Sequence, residues 1–227
     1  MTAVRFHDDK RGFRSILLDR PRSRNAINRD VVEGIRRGLA DADAPIVVLG
    51  STDHEAFSSG ADLKLPDRER AEVSESLYRL YREMRLTPKI VIAAASGPAI
   101  GGGAQLLIAS DLRIVSSDAQ IRFVGPGHGL VVGAWGLPSL VGRGRSLDIC
   151  LSMRPIDAEE ALSIGLVDRV VADPLAQAMD YASSVAALDH SAVAAAKRVV
   201  SVSGMDEALE QERDHNSSWR GEVPSAR

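Results

Sequence analysis

The sequence lacks the features that identify several large classes of protein. Cys150 is its single cysteine, so neither a disulfide nor a cysteine metal site can form within one chain. No apolar leader segment follows Met1, and no apolar stretch is long enough to span a bilayer. The net charge is only −3 with both signs interspersed, which argues against a nucleic-acid-binding or membrane-binding surface. The sequence therefore predicts a cytoplasmic protein without nucleic-acid or membrane partners.

Common catalytic templates are absent as well. The chain has no dinucleotide-binding glycine motif after a strand, no P-loop, no nucleophile elbow and no zincin motif. Its five histidines are scattered, with no spacing typical of metal ligands. We therefore expect neither a metal ion nor a separate cofactor.

Apolar periodicities predict a mixed α/β core followed by helices. Short β-branched runs predict strands at residues 4–7, 13–18, 46–49, 90–95, 112–115 and 166–171. The run at 46–49 does not alternate with polar residues, which is typical of a strand buried on both faces of a parallel sheet. Apolar residues at helical spacing separate the central strands, and further helices are predicted at 174–188 and 191–202. This order indicates an α/β fold with a helical C-terminal region.

Two glycine-rich loops each follow an apolar strand. One contains Gly101, Gly102 and Gly103 and leads directly into a helix, and the other covers residues 57–63. Glycines leave the backbone N–H groups uncovered, and the first N–H groups of a helix have no partner within it. Two such donors from separate loops can hold a carbonyl oxygen as it acquires negative charge. Close packing alone is the simpler role for these glycines.

These loops and several other segments resemble the crotonase family, the enoyl-CoA hydratases and isomerases. The matching segments run in the family's order through residues 20–26, 56–64, 97–111, 142–147 and 157–171. The resemblance implies the crotonase fold of stacked ββα turns, with a core at residues 1–173. It also implies a helical oligomerisation region at 174–227, a homotrimer or homohexamer, and acyl-CoA thioesters as ligands.

The resemblance also implies which residues contact the thioester. By motif position, the backbone N–H groups of Ala61 and Gly102 would form the oxyanion hole for the thioester enolate. The residues implied to contact the rest of coenzyme A are Arg24, Ala26, Ala61, Asp62, Leu63 and Lys64. Coenzyme A would enter as part of the substrate. A capping or loop-tying role is favoured for Asp62 and Asp111 over acid catalysis.

Two departures from the family pattern concern proton transfer. Hydratases of this family use two glutamates that flank the substrate double bond, and the corresponding positions here hold Gln105 and Gly125. A glutamine can hydrogen-bond a water molecule but cannot take its proton, and a glycine can do neither. His128 is the nearby side chain that could act as a base at neutral pH, and a loop histidine facing solvent is its alternative role.

Three functions remain open on the sequence alone. The first is a lyase or isomerase reaction that uses another base, such as His128. The second is a decarboxylation or carbon–carbon bond reaction that needs only the oxyanion hole and a bound ion or the substrate's own carboxylate. The naphthoate-synthase branch resembles this chain at Gly125-Pro126, but Leu130 and Val132 replace its downstream serine and aspartate. The third is binding of acyl-CoA without turnover, as a carrier or sensor.

The C-terminal end also departs from the family pattern. The chain stops at Arg227, short of the phenylalanine-x-x-lysine-arginine-x-proline segment that typical members carry. We expect weaker coenzyme A binding or a partner in place of that segment. Small apolar stretches at 192–196 and 199–200 favour subunit contacts.

Overall fold

A computed structural model describes residues 2–201 and 204–221 and shows two β-sheets surrounded by helices. The strands are β1 (Val4–Asp9), β2 (Phe13–Leu18), β3 (Ile46–Ser51), β4 (Ile90–Ala95), β5 (Pro98–Ile100), β6 (Leu112–Val115), β7 (Gln120–Arg122), β8 (Ile156–Asp157) and β9 (Arg169–Val170). The main sheet has the order β1-β2-β3-β4-β6-β9, with β1 antiparallel to β2 and the other pairs parallel. The smaller sheet has the order β5-β7-β8, in which β5 and β7 are parallel.

Nine helices connect and cover these sheets in the described part of the chain. They are α1 (Arg29–Ala40), α2 (Asp67–Leu86), α3 (Gly102–Ala109), α4 (Leu137–Val141), α5 (Arg143–Ser152), α6 (Ala158–Ser163), α7 (Pro174–Ala186), α8 (His190–Val200) and α9 (Met205–Asn216). The mixed α/β class predicted from the sequence is confirmed. Among the described helices, none is both long enough and apolar enough to cross a membrane.

The main sheet separates two apolar layers, which explains the uninterrupted apolar run of β3. Val47 and Leu49 pack into the larger core with α1 and α2, whereas Ile46 and Val48 pack on the other face. That second face is covered by α7, whose Ala182 is fully buried. Alternate residues of one strand therefore need apolar side chains for different cores.

The C-terminal helices differ in how they pack. Helix α7 is part of the sheet packing, and Leu209 of α9 is buried in the larger core beside α2. The division into 1–173 and 174–227 stays a prediction, because the packing of α7 and α9 does not by itself define domains. Residues 222–227, where the expected difference in the C-terminal segment falls, lie outside the described residues.

Several elements depart from the predicted ones. Strands β5, β7 and β8 were not predicted, because runs of two or three residues are too short to show a period. The apolar residues at helical spacing before β3 begin with Ile27, but helix α1 begins after Asn28. The Asn28 side chain accepts a hydrogen bond from the backbone N of Val31 at 3.1 Å and caps the helix. Ile27 instead forms a parallel bridge with Ala61.

Candidate functional site

The two glycine-rich loops meet at a contact that we call the loop junction, formed by residues 58–61 and 101–103. A parallel bridge joins the loops, in which the N of Ser58 donates to the O of Pro98 at 3.1 Å and the N of Ile100 donates to the O of Ser58 at 2.9 Å. Gly60 has a φ of +86°, and a Cβ there would lie 2.7 Å from the Ile100 carbonyl oxygen. Glycine is thus required both for the backbone conformation and for the close approach of the loops.

Two backbone donors remain unpaired at the loop junction. Ile27 holds the first loop on either side of Ala61, since its N donates to the O of Gly60 at 2.7 Å and its O accepts from the N of Asp62 at 3.0 Å. Gly102 is the first residue of α3, so helical geometry gives its N–H no partner. Within residues 2–201 and 204–221, the N–H groups of Ala61 and Gly102 have no protein acceptor.

A cavity of about 210 Å³ opens at the loop junction. Five of the residues predicted for the site line this cavity, namely Ala61, Leu63, Gly102, Gln105 and His128. Most of the remaining wall is apolar and comes from α2 and from the segment after β7. The residues outside the two loops that the structure adds are Arg70, Val73, Ser74, Leu77, Tyr78, Val124, Leu130, Val132, Asn216 and Trp219. The cavity is thus an apolar space with backbone donors at one end.

Other residues predicted to bind coenzyme A lie outside the cavity lining. Arg24 and Lys64 are exposed at the surface, and Ala26 is buried. Asp62 is buried and ties its loop, because its carboxylate accepts from the Nη2 of Arg20 at 2.9 Å and from the N of Lys64 at 3.2 Å. The loop-tying role expected for Asp62 is confirmed.

Asp111 also ties elements together. It lies outside the cavity lining, and its Oδ2 accepts from the N of Val91 and from the Nζ of Lys197, each at 2.8 Å. These contacts join the end of α3 to β4 and α8, so the loop-tying role expected for Asp111 is confirmed.

The Gln105 side chain is held in one orientation. Its Oε1 accepts hydrogen bonds from the backbone N of Gly133 at 3.1 Å and from the indole Nε1 of Trp135 at 2.9 Å. Reversing the amide would place its NH₂ group against both donors, so the two contacts fix the oxygen on that side. Gln105 therefore has its acceptor occupied by the protein.

Gly125 leaves no room for a side chain. A Cβ at this position would lie 2.7 Å from the O of Leu130 and 2.9 Å from the N of Val132. The carbonyl oxygen of Gly125 accepts from the N of His128 at 2.8 Å and from the N of Leu130 at 3.1 Å, which closes the loop tightly. A carboxylate side chain could enter at residue 125 only if this loop moved.

His128 follows at the rim of the same loop. Its side chain is half-buried and lines the cavity. Its backbone ends a short 3₁₀ turn at Pro126–His128. The structure thus brings His128 to the site, as the sequence predicted, and leaves its chemical role a prediction.

Sequence reasoning missed Glu212, a buried carboxylate behind the cavity wall. Its Oε1 accepts from the hydroxyl of Tyr78 at 2.9 Å and from the N of Gly133 at 3.1 Å, and its Oε2 accepts from the N of Trp135 at 3.0 Å. Burial raises the pKa of Glu212 to about 7, although these hydrogen bonds act in the opposite direction. In the sequence Glu212 is one acidic residue of a polar helix, and only its spacing from Leu209 places it on the buried face.

The C-terminal segment completes the cavity, and we call Glu212, Asn216 and Trp219 the C-terminal wall. Asn216 lines the cavity and donates from Nδ2 to the Tyr78 hydroxyl at 2.7 Å, and Trp219 also lines the cavity. Arg70 is buried and donates to the carbonyl oxygens of Leu65 and Gly221, which holds this segment against α2.

No metal site is evident in the part of the chain that the structure describes. No group of three or more His, Cys, Asp or Glu residues there could hold a metal ion. The chemistry available at the cavity is that of the backbone donors, the amides of Gln105 and Asn216, the hydroxyls of Ser59, Ser74 and Tyr78, the Arg70 guanidinium and the His128 imidazole, with the Glu212 carboxyl group behind the wall.

Comparison of the sequence with known proteins identifies its relatives. Residues 8–224 match the family model described as enoyl-CoA hydratase/isomerase. The chain is 37% identical over 196 residues to a Mycobacterium bovis protein named probable enoyl-CoA hydratase echA6, a match covering 84% of this chain and 79% of that protein. A Mycobacterium leprae protein of the same name is 35% identical over 219 residues, covering 92% and 87% of the two chains.

Solved structures match over nearly the whole chain. An enoyl-CoA hydratase/isomerase from Mycobacterium paratuberculosis aligns with a TM-score of 0.85 at 26% identity, covering 97% of this chain and 96% of that one. One from Xanthobacter autotrophicus Py2 also has a TM-score of 0.85 at 26% identity, covering 96% and 88%.

Proposed function

Because this chain belongs to the enoyl-CoA hydratase/isomerase family, we propose that it binds acyl-CoA thioesters and stabilises a thioester enolate at the loop junction. Its fold is the crotonase fold predicted from the sequence, as the aligned structures confirm. The single observation that carries the proposal is the pair of N–H groups on Ala61 and Gly102, which have no protein acceptor in the described residues and line one cavity.

The physical role of these donors follows from their setting. A thioester oxygen gains negative charge when the adjacent carbon loses a proton, and preorganised N–H groups stabilise that charge most where water is scarce. The lining beyond the loop junction is mainly apolar. In this proposal the acyl chain lies along the apolar wall and the thioester oxygen lies between the two donors.

We expect little hydration of a crotonyl thioester. Gln105 has its oxygen occupied by Gly133 and Trp135, and Gly125 has no space for a carboxylate. One well-placed acid or base contributes about 10²–10⁴-fold in rate. With neither position able to move a proton, the backbone donors alone remain to assist this reaction.

Two functions fit the same site and differ in proton transfer. One is an isomerase-type or decarboxylation reaction with His128 as base, which its place on the cavity lining favours. The other is thioester binding without turnover, which the occupied oxygen of Gln105 favours. We favour binding first, because the contacts at the loop junction support it without a base.

Assembly as a trimer or hexamer is part of the same proposal. Leu188, Val199 and Val200 are exposed on the last helices. Exposed apolar groups of this kind are typical of subunit contacts.

The decisive experiment measures binding and turnover separately. We expect crotonyl-, octanoyl- and acetoacetyl-CoA to bind in calorimetric titrations, and hydration of crotonyl-CoA to be slow in a spectrophotometric assay. Ala61→Pro removes one N–H donor, whereas Ala61→Ser keeps it. The proline variant should bind acetoacetyl-CoA about 10- to 100-fold more weakly, as expected for a hydrogen bond to a charged oxygen.

Two results would contradict the proposal. Absence of binding by every thioester at millimolar concentration would refute the thioester site. Crotonyl-CoA hydration at about 10 s⁻¹ or faster, an ordinary enzyme rate, would show that another group moves the proton.

A further inference from the structure

Glu212 is a buried carboxyl group that accepts hydrogen bonds from three donors. Its Oε1 accepts from the Tyr78 hydroxyl at 2.9 Å and from the N of Gly133 at 3.1 Å, and its Oε2 accepts from the N of Trp135 at 3.0 Å. The side chain belongs to a residue that is 4% exposed. Such a setting suits a carboxylate, whereas a protonated carboxyl group brings a donor of its own that needs an acceptor.

The titratable groups that face Glu212 carry no positive charge. Tyr78 and Tyr81 face it from α2, and Cys150 faces it from α5. Burial and the charge of Glu212 together raise the pKa of each of these three groups, so all three stay neutral at ordinary pH. Their protons cannot replace a counter-ion for the carboxylate.

The cations of the neighbouring helices pair with other acids. Arg85 of α2 pairs with Asp206 at 3.3 Å, and Arg213 of α9 pairs with Glu210 at 2.7 Å. Burial therefore decides the charge of Glu212 and raises its pKa to about 7. Both charge states of this group are thus accessible near neutral pH.

The hydrogen-bond network has a second arrangement that fits a protonated Glu212. The Tyr78 hydroxyl oxygen lies 3.3 Å from the carbonyl oxygen of Val131, which is a second acceptor for its proton. It also accepts from the Nδ2 of Asn216 at 2.7 Å. A hydroxyl group donates once and accepts twice. Tyr78 can therefore turn its proton to Val131 and accept the new proton of Glu212, with no change of fold.

Glu212 is separated from the cavity by one layer of side chains. Tyr78 and Asn216 line the cavity, and Glu212 lies behind them in contact with the Tyr78 hydroxyl. Solvent in the cavity stabilises the carboxylate through this layer. Hydrocarbon in its place does not, and loss of solvent disfavours the charged form of a carboxyl group.

We propose that Glu212 takes up a proton from solvent when an acyl chain fills the cavity, so that the site favours longer acyl groups more strongly at lower pH. This inference rests on the proposed function, because it places the thioester at the loop junction and the acyl chain against the C-terminal wall. Acyl binding and protonation are then linked, and each favours the other by the same factor. Glu212 acts through Tyr78 and does not touch the ligand.

The first test compares octanoyl-CoA with acetyl-CoA by calorimetry. The acetyl group ends one carbon beyond the thioester carbonyl and leaves the C-terminal wall uncovered. Both ligands carry the same phosphates, so the ratio of their affinities cancels the titration of the phosphate groups near pH 6. We expect the preference for octanoyl-CoA to be about three- to eightfold larger at about pH 5.5 than at about pH 8.5.

The second test counts protons and uses wild-type protein only. Titrations at about pH 7.5 in two buffers with different enthalpies of ionisation should show that octanoyl-CoA takes up about 0.3 to 0.5 proton more than acetyl-CoA. His128 also lines the cavity. Covering an imidazole with hydrocarbon favours its neutral form and releases protons, so the sign separates His128 from Glu212. Equal uptake with both ligands, or net release with octanoyl-CoA, would overturn the inference.

Two variants assign the proton to its group. Glu212→Gln keeps the shape of the side chain without a titrating group, and its preference for octanoyl-CoA should be the same at both pH values. Glu210→Gln is the matched control, because Glu210 lies on the same helix and pairs with Arg213. It should keep the wild-type pH dependence. If Glu212→Gln also keeps it, the inference is wrong and the proposed function stands. Failure of every thioester to bind would instead contradict the proposed function.

Discussion

The loop junction and the C-terminal wall border one cavity and differ in their chemistry: Asn216 and Trp219 of the C-terminal wall line the cavity, and Glu212 lies behind them. The loop junction offers backbone N–H groups from Ala61 and Gly102, whose charge does not change with pH. The C-terminal wall relies on side chains, including Glu212, whose burial raises its pKa to about 7. The geometry of the loop junction depends on close packing of its backbone, whereas the geometry of the C-terminal wall depends on the protonation and hydrogen bonding of its side chains.

Gln105 connects the two regions. It lies on the helix that begins at the loop junction, and its oxygen is fixed by Gly133 and Trp135, which Glu212 holds. A ligand that contacts both regions would therefore have its thioester held by rigid backbone. The rest of its acyl group would meet a wall that responds to pH.

We expect the largest effect from a substitution that disrupts the packing of the loop junction. Gly60→Ala should lower the free energy of unfolding by about 3 kcal/mol, because a Cβ would lie 2.7 Å from the Ile100 oxygen and the φ of +86° is strained for alanine. Acetoacetyl-CoA binding should weaken at least tenfold. Denaturant unfolding and calorimetry measure the two effects.

Gly129→Ala is the matched control for Gly60→Ala. Gly129 also has a positive φ, +70°, but has no atom within 4 Å of a Cβ. We expect a loss of about 1 kcal/mol from backbone strain alone. Similar losses in the two variants would show that contact between the loops does not matter.

A smaller effect concerns the C-terminal wall and pH. The pKa of Glu212 is about 7 in the folded chain against an ordinary value of 4.5, so the folded state binds its proton more tightly. The free energy of unfolding should therefore fall as pH rises from about 4.5 to about 7 and then level off. The total change from this group is at most roughly 3 kcal/mol.

Glu212→Gln should remove this part of the pH dependence in denaturant unfolding between pH 4.5 and 8. Glu210→Gln is the control, since Glu210 pairs with Arg213 nearer the surface and is not held by Gly133 or Trp135. Parallel stability curves for wild type and Glu212→Gln would contradict the assignment of the titrating group to Glu212.

The smallest expected effect is that of His128→Ala. The side chain is half-buried and lines the cavity rather than the core. Its loss should therefore change the free energy of unfolding by less than about 0.5 kcal/mol. Thioester affinity should stay within about twofold. If turnover is detected, its pH dependence should change in this variant, because a base on the reaction path contributes to that dependence. An unchanged pH–rate profile would exclude His128 as the base.

Much of the fold could be predicted because it rests on local patterns. The apolar run of β3 and the helical spacing in α1 and α2 are visible within short windows of sequence. The two loops of the loop junction could be predicted for the same reason, since Gly101, Gly102 and Gly103 are contiguous and each loop follows an apolar strand. Strands β5, β7 and β8 could not be predicted, because pairing with distant residues makes them strands.

The sequence by itself determined the α/β class, the position of both glycine-rich loops and the residue types at positions 105 and 125. Only the tertiary structure decided what those residues can do. It turned the Gln105 oxygen toward Trp135, filled the space at Gly125 with the backbone of residues 130–132, and buried Glu212. Periodicity and composition record which residues tend to be buried, whereas the partner of a buried polar group depends on segments distant in the chain that fold against it.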